Sequence, residues 1–367
     1  MNILVLNSIL FTANDNSIPQ VKSIKDTMIY NMCLGFIYAG HQVTLIAASE
    51  YEPTLPEEYE FKVLFFPSVL KQVFLPSVLP LQPRLWHYLR RENNSFDCIV
   101  TSEMFAFPSL FAAIICPRKT IVWQEMSLFQ KKFFKIPAIM WHYVIVPLFM
   151  RKIKIVIPRS DQAGKFIGRF FKNVSQDIVD HGVNLKKFTF SEKKEKQFII
   201  VAQLIKRKNI DYIIRQFYGF VQKYPQENYQ LIIAGKGPEE EYLKALVKEL
   251  HIEPVVHFTG FLNHCELNKQ ISQSIATLIA TTKDLNMVSI PESIVSGTPV
   301  VTNLVPTSST YIAVNQLGIA KNKWDASDLK IIVDNNDFYV ANCIKYREKL
   351  TNVFLAKKLI NIATKGL

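Results

Sequence analysis

Two kinds of segment alternate along the chain. Short apolar runs that suit buried parallel strands are followed by longer stretches whose apolar residues recur at helical spacing. NILVLNS at 2–8 is the first run, 22–39 then shows helical spacing up to Gly40, and HQVTLIAAS at 41–49 returns to the strand pattern. Further apolar runs lie at 60–68, 96–102, 119–125 and 154–158. Repeated strand–helix units predict a parallel, doubly wound sheet of the α/β class.

The alternation is interrupted once and then starts again. KKFTFSEKKEKQ at 186–197 is charged and lacks apolar periodicity, and the apolar run FIIVAQL follows it directly. A chain of 367 residues is long enough for two domains of ordinary size. We therefore expect two Rossmann-like doubly wound domains that face a central cleft. Their predicted bounds are 1–190 and 191–340, with a helical segment, 341–367, available to pack back on the first domain.

The net charge of +12 is unevenly distributed. Residues 118–172 hold twelve Lys and Arg but only two acids, Glu125 and Asp161. Such a stretch suits nucleic acid, an anionic membrane surface or a phosphorylated substrate equally. The five cysteines are far apart and form no CxxC pair, which indicates reduced thiols and no zinc site. The sequence following Met1 lacks the features of a secretory signal, so we expect a cytoplasmic protein.

An apolar segment lies inside the basic stretch. IPAIMWHYVIVPLFM at 136–150 is flanked by bases on both sides, and it is too short to span a bilayer. This composition is typical of a helix that lies in the membrane interface, and it predicts peripheral contact with the anionic inner face of the cell membrane. The alternative is an ordinary amphipathic helix packed on the sheet, and both can be true. No recognised nucleic-acid motif accompanies the charge, so we expect no nucleic-acid partner.

Two loops of the second domain follow predicted strands and suit a phosphorylated ligand. In AGKGP the strand ends at Gly235 and Gly237, and Pro238 opens a helix. The turn suits a nucleotide, although the acidic residues at 239–241 would repel a phosphate there. In the other loop, one cation of Lys206–Lys208 is expected to clamp a diphosphate. Lys208 is favoured for this role, while Lys206 is expected in solvent.

The segment 283–303 carries two acids, Asp284 and Glu292, eight positions apart. Glu292 lies in the first turn of a predicted helix that ends near Gly297. Carboxylates are natural acceptors for vicinal hydroxyls, and the loop before a helix offers unpaired amides, so the geometry suits a sugar nucleotide. The alternative is that Glu292 only complements the helix dipole.

Taken in order, these segments resemble the retaining glycosyltransferases of family 4, also called group 1, which have the GT-B architecture. The family pattern of G-R-L, a lysine, G-x-G-P, F-x-G, E-x7-E and G-x-P-V is similar to AQL, Lys208, GKGP, FTGF, Asp284 to Glu292, and GTPVV. HGVNLKKF at 181–188 is similar to the N-G-V-D-x-x-x-F segment, with His181 in place of asparagine. The resemblance extends over nearly the whole chain.

The resemblance implies roles for individual residues. Lys208 would clamp the diphosphate, Glu292 would bind the ribose, and Asp284 would contact the transferred sugar. The remaining residues implied on the donor side are Gln203, Arg207, Gly235, Gly237, Phe261, Asn286, Met287 and Val288. On the acceptor side we expect Glu103, Gln124 and Glu125, together with the loop at position 13, which is Ala13 followed by Asn14.

Three departures from the family pattern affect these roles. Gln203 stands where the family has an arginine, which Arg207 would have to replace. Asp284 is one methylene shorter than the usual glutamate, and LNM replaces G-F-G after it. The first strand is followed by LNSILFTANDNS rather than a double glycine, and Gln124 and Glu125 stand where many relatives have a histidine.

The activity implied is retaining hexosyl transfer from a nucleotide-diphosphate sugar, with UDP slightly favoured, and without a metal or other cofactor. The acceptor would be a saccharide or a lipid-linked molecule, as in the synthesis of surface polysaccharide, lipopolysaccharide or glycolipid. Two alternatives remain open. One is a sugar-nucleotide 2-epimerase, which shares the architecture, and the other is a non-catalytic partner of another glycosyltransferase.

Overall fold

The computed structural model describes residues 1–11, 18, 20–129, 134–284 and 287–365. The chain divides into two compact units. The N-terminal domain comprises Met1–Gly182 together with Asn352–Leu367, and the C-terminal domain comprises Val183–Thr351. Each has a six-stranded sheet with parallel pairing throughout. The predicted α/β class with two Rossmann-like domains is confirmed.

The N-terminal sheet has the strand order β3-β2-β1-β4-β5-β6. Its strands are β1 (Asn2–Leu6), β2 (Gln42–Ala48), β3 (Lys62–Phe66), β4 (Cys98–Ser102), β5 (Thr120–Gln124) and β6 (Ile155–Pro158). Its helices are α1 (Met28–Tyr38), α2 (Pro83–Glu92), α3 (Phe107–Ile115), α4 (Lys135–Met140) and α5 (Asp161–Ile167). The four residues Ile3–Leu6 of β1 are all buried. A strand covered by helices on both faces has no polar side, which is why it reads as a continuous apolar run.

Helix α1 begins at Met28, six residues after the start of the helical spacing in the sequence. The hydroxyl of Thr27 accepts a hydrogen bond from the backbone N–H of Tyr30, and Thr27 itself is extended. A threonine in this position satisfies one of the free amides of the first turn and fixes the start of the helix.

The last helix of the chain, α13 (Asn352–Lys365), belongs to the N-terminal domain and packs against α1. A Cβ at Gly35 would lie 2.4 Å from the carbonyl oxygen of Asn352, and Asn352 Nδ2 donates to the carbonyl of Asn31 at 2.7 Å. Gly35 therefore allows the two helices to touch. The helical region at the C-terminal end of the sequence is divided at Thr351, because α12 (Asn336–Tyr346) belongs to the other domain.

The C-terminal sheet has the order β12-β11-β10-β7-β8-β9. Its strands are β7 (Gln197–Val201), β8 (Gln230–Ala234), β9 (Val256–Gly260), β10 (Ala276–Leu278), β11 (Val300–Thr302) and β12 (Gly318–Ala320). Besides α12, its helices are α6 (Ile210–Lys223), α7 (Glu240–Glu249), α8 (His264–Gln273), α9 (Ser289–Val295), α10 (Ser309–Val314) and α11 (Ala326–Asp334).

Helix α4 continues without interruption into a π-helix, Trp141–Met150. One side of this combined segment is buried, with Trp141, His142, Val146 and Met150 in the domain interior. The other side exposes apolar side chains, namely Ile136, Met140, Tyr143, Val144, Leu148 and Phe149. Within the described ranges, no helix has the length and apolar character that crossing a bilayer requires.

Candidate functional site

In a doubly wound sheet, ligands bind where the strand order reverses, outside the carboxyl ends of the strands. In the C-terminal domain this point lies between β7 and β10, which are neighbours in the sheet. The loop after β7 carries Gln203 and the cations 206–208, and the loop after β10 carries Thr281 and Asp284. The candidate donor residues of both loops therefore lie at one edge of one sheet.

Asp284 joins the two loops. Its Oδ2 lies 2.8 Å from Nζ of Lys208, and its Oδ1 accepts a hydrogen bond from Nε of Arg207 at 2.9 Å. The hydroxyl of Thr281 donates to Oδ2 at 2.7 Å. The backbone N–H of Thr282 also donates to the carbonyl of Arg207 at 2.8 Å. Two cations and one carboxylate are thus fixed in a single cluster with an excess of one positive charge.

Burial by itself would raise the pKa of Asp284, but hydrogen bonds from Lys208 and Thr281 and the Lys208 charge outweigh it and hold the pKa below its usual range. The side chain of Lys208 is only 14% exposed, whereas Lys206 is exposed. Lys208 also borders a small cavity with Ala202, Thr281 and Met287. Among the three consecutive cations, Lys208 is therefore the one held inside the site.

The other donor residues expected from the sequence differ in their surroundings. Gln203 is exposed, Phe261 is 81% exposed, and Val288 is 39% exposed. Met287 is buried in the domain core. Asn286 lies outside the described residues. The Arg207 side chain, which would replace the family arginine, is engaged with Asp284.

Gly235 and Gly237 have a structural reason to be glycines. A Cβ at Gly235, where φ is +146°, would lie 1.9 Å from the carbonyl oxygen of Ala202. A Cβ at Gly237 would lie 2.3 Å from the carbonyl oxygen of Leu204, whose own N–H donates to the carbonyl of Lys236 at 3.0 Å. The loop after β8 thus lies directly against the loop after β7. Both glycines shape the backbone that presents Lys208.

Glu292 is the only ionisable side chain on α9, a helix whose other side chains are all buried. Ile290, Pro291, Ser293, Ile294 and Val295 of α9 are buried, whereas Glu292 is partly exposed. Its carboxylate has no hydrogen-bond or ion-pair partner among the described residues, and burial raises its pKa to about 7. A partly buried carboxylate without a partner is poised to accept hydrogen bonds from a ligand.

The N-terminal domain has a pocket of its own at its corresponding switch point, between β1 and β4. The cavity volume is about 510 Å³. The residues that follow β1, β4 and β5 form most of its wall, together with Arg159 after β6. Two predicted acceptor residues, Glu103 and Glu125, line this pocket.

Glu103 directly follows β4 in a left-handed backbone conformation, with φ at +65°. Few residues other than glycine adopt this conformation, and where they do it often marks a functional site. Its Oε1 accepts from the backbone N–H of Glu125 at 2.8 Å, and Oε2 accepts from that of Met126 at 3.0 Å. Burial raises the pKa of Glu103 to about 7, and the Glu125 charge acts in the same direction.

Arg159 is a pocket residue that the sequence analysis missed. Its Nη1 donates to Oε2 of Glu125 at 2.5 Å, and its Nη2 lies 3.2 Å from Oδ1 of Asp180. Its guanidinium also stacks over Trp123, 4.7 Å from the ring centroid. His181, at the end of the domain, lies against the same Asp180, 2.9 Å from its Oδ1. The available signal was a single cation directly after the apolar run of β6, just as the cations 206–208 lie in the loop that follows β7.

Gln124 is fully buried and does not face the pocket. Its Oε1 accepts from the backbone N–H of Met104 at 2.9 Å, and its Nε2 donates to the carbonyl of Met126 at 3.0 Å. The side chain therefore fixes the two loops that carry Glu103 and Glu125. The predicted acceptor loop at Ala13 and Asn14 lies outside the described residues. Among the residues that are described, no group of three or more His, Cys, Asp or Glu is arranged to hold a metal ion.

The donor-side cluster lies in a part of the chain that is similar to known proteins. Residues 184–335 match the family model for "Glycosyl transferases group 1". An uncharacterized glycosyltransferase of Haemophilus influenzae is 33% identical over 133 residues, which are 36% of this chain and 36% of that protein. An alpha-monoglucosyldiacylglycerol synthase of Streptococcus pneumoniae is 23% identical over 186 residues, or 46% of this chain and 42% of that protein. The matched region thus spans less than half the length of these curated relatives.

Solved structures match along the whole chain. The Anabaena protein HepE in complex with UDP covers 100% of both chains, with a TM-score of 0.68 and 14% identity. Sucrose-phosphate synthase from Thermosynechococcus elongatus covers 99% of this chain and 98% of its own, also with a TM-score of 0.68 and 14% identity. At this level of identity the similarity establishes the fold, which is the GT-B fold of two Rossmann-like domains.

Proposed function

We propose that the protein is a retaining glycosyltransferase that moves a sugar from a nucleotide-diphosphate donor to a saccharide or lipid-linked acceptor. One observation carries this proposal. Lys208 and Arg207 converge on Asp284 at the switch point of the domain that matches the group 1 family model. A pair of cations beside a hydroxyl-binding carboxylate is suited to a ligand that is a diphosphate at one end and a sugar at the other.

In the proposed reaction, the bond between the anomeric carbon and the diphosphate oxygen breaks. Negative charge then grows on the leaving diphosphate, and Lys208 and Arg207 stabilise it because their loop places both cations at this edge of the sheet. Asp284, exchanged out of its contacts with the two cations, accepts a hydrogen bond from a hydroxyl of the transferred sugar. The cations supply the positive charge, and we accordingly propose that transfer does not depend on a divalent metal ion.

Glu292 is proposed to bind the ribose of the donor. Its carboxyl has no partner among the described residues, and the buried helix around it leaves little freedom to move. A carboxylate with both oxygens free can accept hydrogen bonds from two neighbouring hydroxyls at once. Gln203, Phe261, Met287 and Val288 are proposed to line the donor side, with Asn286 supplying a backbone contact.

The acceptor is proposed to bind in the pocket of the N-terminal domain, beside Glu103 and Glu125. The acceptor oxygen forms its bond to the anomeric carbon on the face that the diphosphate leaves, so the anomeric configuration is retained. The hydroxyl proton passes to the departing diphosphate oxygen, and the atoms of donor and acceptor are thereby balanced.

The place of the reaction is proposed to be the inner face of the cell membrane, in the synthesis of surface polysaccharide, lipopolysaccharide or glycolipid. The exposed apolar side of residues 136–149 supports this, because a cytoplasmic enzyme would otherwise leave it in water. Exposed bases lie at both ends of that segment, at Lys135, Arg151 and Lys152. Apolar contact with flanking cations is the pattern of a peripheral contact with anionic lipid.

A donor panel tests the activity. The purified full-length chain is incubated with nucleotide-diphosphate sugars, with UDP-sugars first, and with lipid and polysaccharide extracts as acceptors. Release of nucleoside diphosphate together with a glycosylated product is the expected result. An epimerised donor without release would identify the 2-epimerase instead. No turnover with any donor and no binding of any nucleoside diphosphate would contradict the proposal and favour a non-catalytic partner.

A further inference from the structure

The pocket of the N-terminal domain has an unusual balance of charge. Of the described residues that line it, three are charged, namely Glu103, Glu125 and Arg159. Arg159 is the one cation among these three residues, and each nitrogen of its guanidinium group already has a carboxylate partner. Nη1 of Arg159 is bonded to Glu125, while Nε and Nη2 lie 3.3 Å and 3.2 Å from Oδ1 of Asp180. A guanidinium shared between two carboxylates has little left to offer an anionic ligand.

Glu103 adds to this deficit of positive charge. Its carboxyl is held beside Glu125 by two backbone amides and cannot turn away from the pocket without breaking both hydrogen bonds. A phosphate or carboxylate placed in this cavity would meet the carboxylate of Glu125, the partly ionised carboxyl of Glu103 and an arginine that is already neutralised. Such an arrangement repels anions, and no cation of the described wall is left to compensate their charge.

The remaining wall suits an uncharged ring. Trp123, Phe105 and Phe11 contribute aromatic surface, and Val78 and Pro80 contribute aliphatic surface. Besides the three charged residues, the wall includes the uncharged polar residues Asn7, Ser8, Ser77 and Ser102. A sugar needs such a combination, because it is held by apolar surface together with hydrogen bonds to its hydroxyls. The C–H faces of a sugar pack well on aromatic rings, and its hydroxyls can donate to the carboxyl groups of Glu103 and Glu125.

We infer that this pocket selects a neutral, hydroxyl-bearing sugar as acceptor and discriminates against the same sugar carrying a phosphate or a carboxylate. The inference rests on the proposed function, since it identifies the chemical class of the acceptor. It also states a property of the pocket that can be measured without any donor or turnover.

Trp123 reports on the pocket directly, because it forms part of the wall. The full-length protein is titrated with methyl hexopyranosides and with the 6-phosphates of the same sugars while tryptophan fluorescence is followed. Trp123→Phe identifies the part of the signal that comes from the pocket. Each neutral sugar should give a saturable change, and its phosphate should bind at least about tenfold more weakly.

A variant and a salt series show whether the pocket discriminates between these ligands by charge or by shape. Glu125→Gln removes one of the two carboxylates that contact Arg159. The difference in binding affinity between a sugar and its phosphate should therefore be smaller in this variant. Because that substitution removes an ion pair, the same ratio is also measured in the wild-type protein as salt is added. Screening by salt should also reduce the difference in affinity in the wild-type protein, whereas a difference caused by ligand size alone would not change with salt.

Three results would overturn the inference. The sugar phosphates could bind as tightly as the neutral sugars, their ratio could stay constant with salt, or neutral sugars could leave the Trp123 signal unchanged up to their solubility limit. If any of these occurs while a donor is still turned over, the acceptor inference fails and the proposed function stands. If neutral sugars bind but no donor is bound or turned over, the proposed function fails instead.

Discussion

Nζ of Lys208 lies 2.8 Å from Oδ2 of Asp284, and this ion pair connects loops that leave the neighbouring strands β7 and β10. The two residues are 76 positions apart in the sequence, so the contact exists only because the strands are adjacent in the sheet. In the free protein, Lys208, which is proposed to hold the diphosphate, is therefore in direct contact with Asp284, which is proposed to bind the sugar. A bound donor would therefore have to compete with Asp284 for Lys208.

Asp284→Asn tests this competition. Removing the carboxylate leaves Lys208 and Arg207 without an anionic partner, so UDP should bind about threefold to tenfold more tightly, as expected for the loss of one nearby like charge. Sugar transfer should nevertheless slow by at least about tenfold, because an interaction with the transferred sugar is lost. Calorimetry with UDP and the turnover rate with the preferred donor measure the two effects. Glu249→Gln, an exposed change on α7, is the control, and weaker UDP binding by Asp284→Asn would contradict the competition.

The affinity for UDP should depend on pH through Glu292. Because burial raises the pKa of this carboxyl to about 7, it is protonated in much of the protein near neutrality. The ionised form accepts hydrogen bonds through both oxygens and more strongly than the protonated form, so affinity should increase as pH rises through 7 and then level off. In Glu292→Gln the same calorimetric profile should be flat and low. An identical rise in both proteins would mean that another group is responsible.

The loop after β8, which carries Gly235 and Gly237, should be more important for folding than for direct contact with phosphate. Gly235→Ala places a Cβ 1.9 Å from the carbonyl oxygen of Ala202, so the loops after β7 and β8 must separate. We expect a loss of about 3 kcal/mol or more in the free energy of unfolding, the range of severe steric changes. Gly40→Ala is the matched control, because Gly40 also has positive φ but nothing within 4 Å of an added Cβ. That control should lose about 1–2 kcal/mol, the cost of the backbone conformation alone. Equal losses in denaturant unfolding would refute the steric explanation.

Membrane contact should depend on the exposed apolar side of residues 136–149. The double variant Ile136→Ser with Leu148→Ser removes two of its large side chains, which are 70% and 63% exposed. We expect most binding to vesicles that contain anionic lipid to be lost in flotation, because each large apolar side chain contributes about 1.5–3 kcal/mol when it is buried. Leu55→Ser, at a residue 74% exposed elsewhere in the same domain, should bind like the wild type. Undiminished binding of the double variant would place the contact on another surface.

The architecture could be predicted from the sequence because parallel strands that are buried on both faces appear as continuous apolar runs. The run at 2–8 contains β1, and the run at 198–204 covers all of β7 except its first residue. The alternation of such runs with helical spacing predicted two Rossmann-like domains, which the structure confirms. Boundaries were harder where a single side chain determines them. Thr27 caps α1 at Met28, although the apolar spacing begins earlier.

The sites were less accessible because their contacts join distant residues. Arg159 meets Glu125 and Asp180, and neither pairing has a spacing that a sequence motif could reveal. Glycines gave an ambiguous signal for a physical reason. Close approach of a phosphate and close approach of a neighbouring loop both exclude a Cβ, and only the structure shows that Ala202 and Leu204 lie against Gly235 and Gly237.

The proposed function depends most on Lys208 as the residue that holds the diphosphate of the donor. Calorimetric titration of UDP into the wild-type protein, Lys208→Ala and Lys206→Ala measures this directly, since the two lysines lie two positions apart in one loop and only Lys208 is enclosed in the site. We predict that Lys208→Ala weakens UDP binding by about tenfold to a hundredfold, the range for a lost hydrogen bond to a charged group, while Lys206→Ala changes it by less than about twofold. Equal effects of the two substitutions, or tight binding by Lys208→Ala, would contradict the assignment.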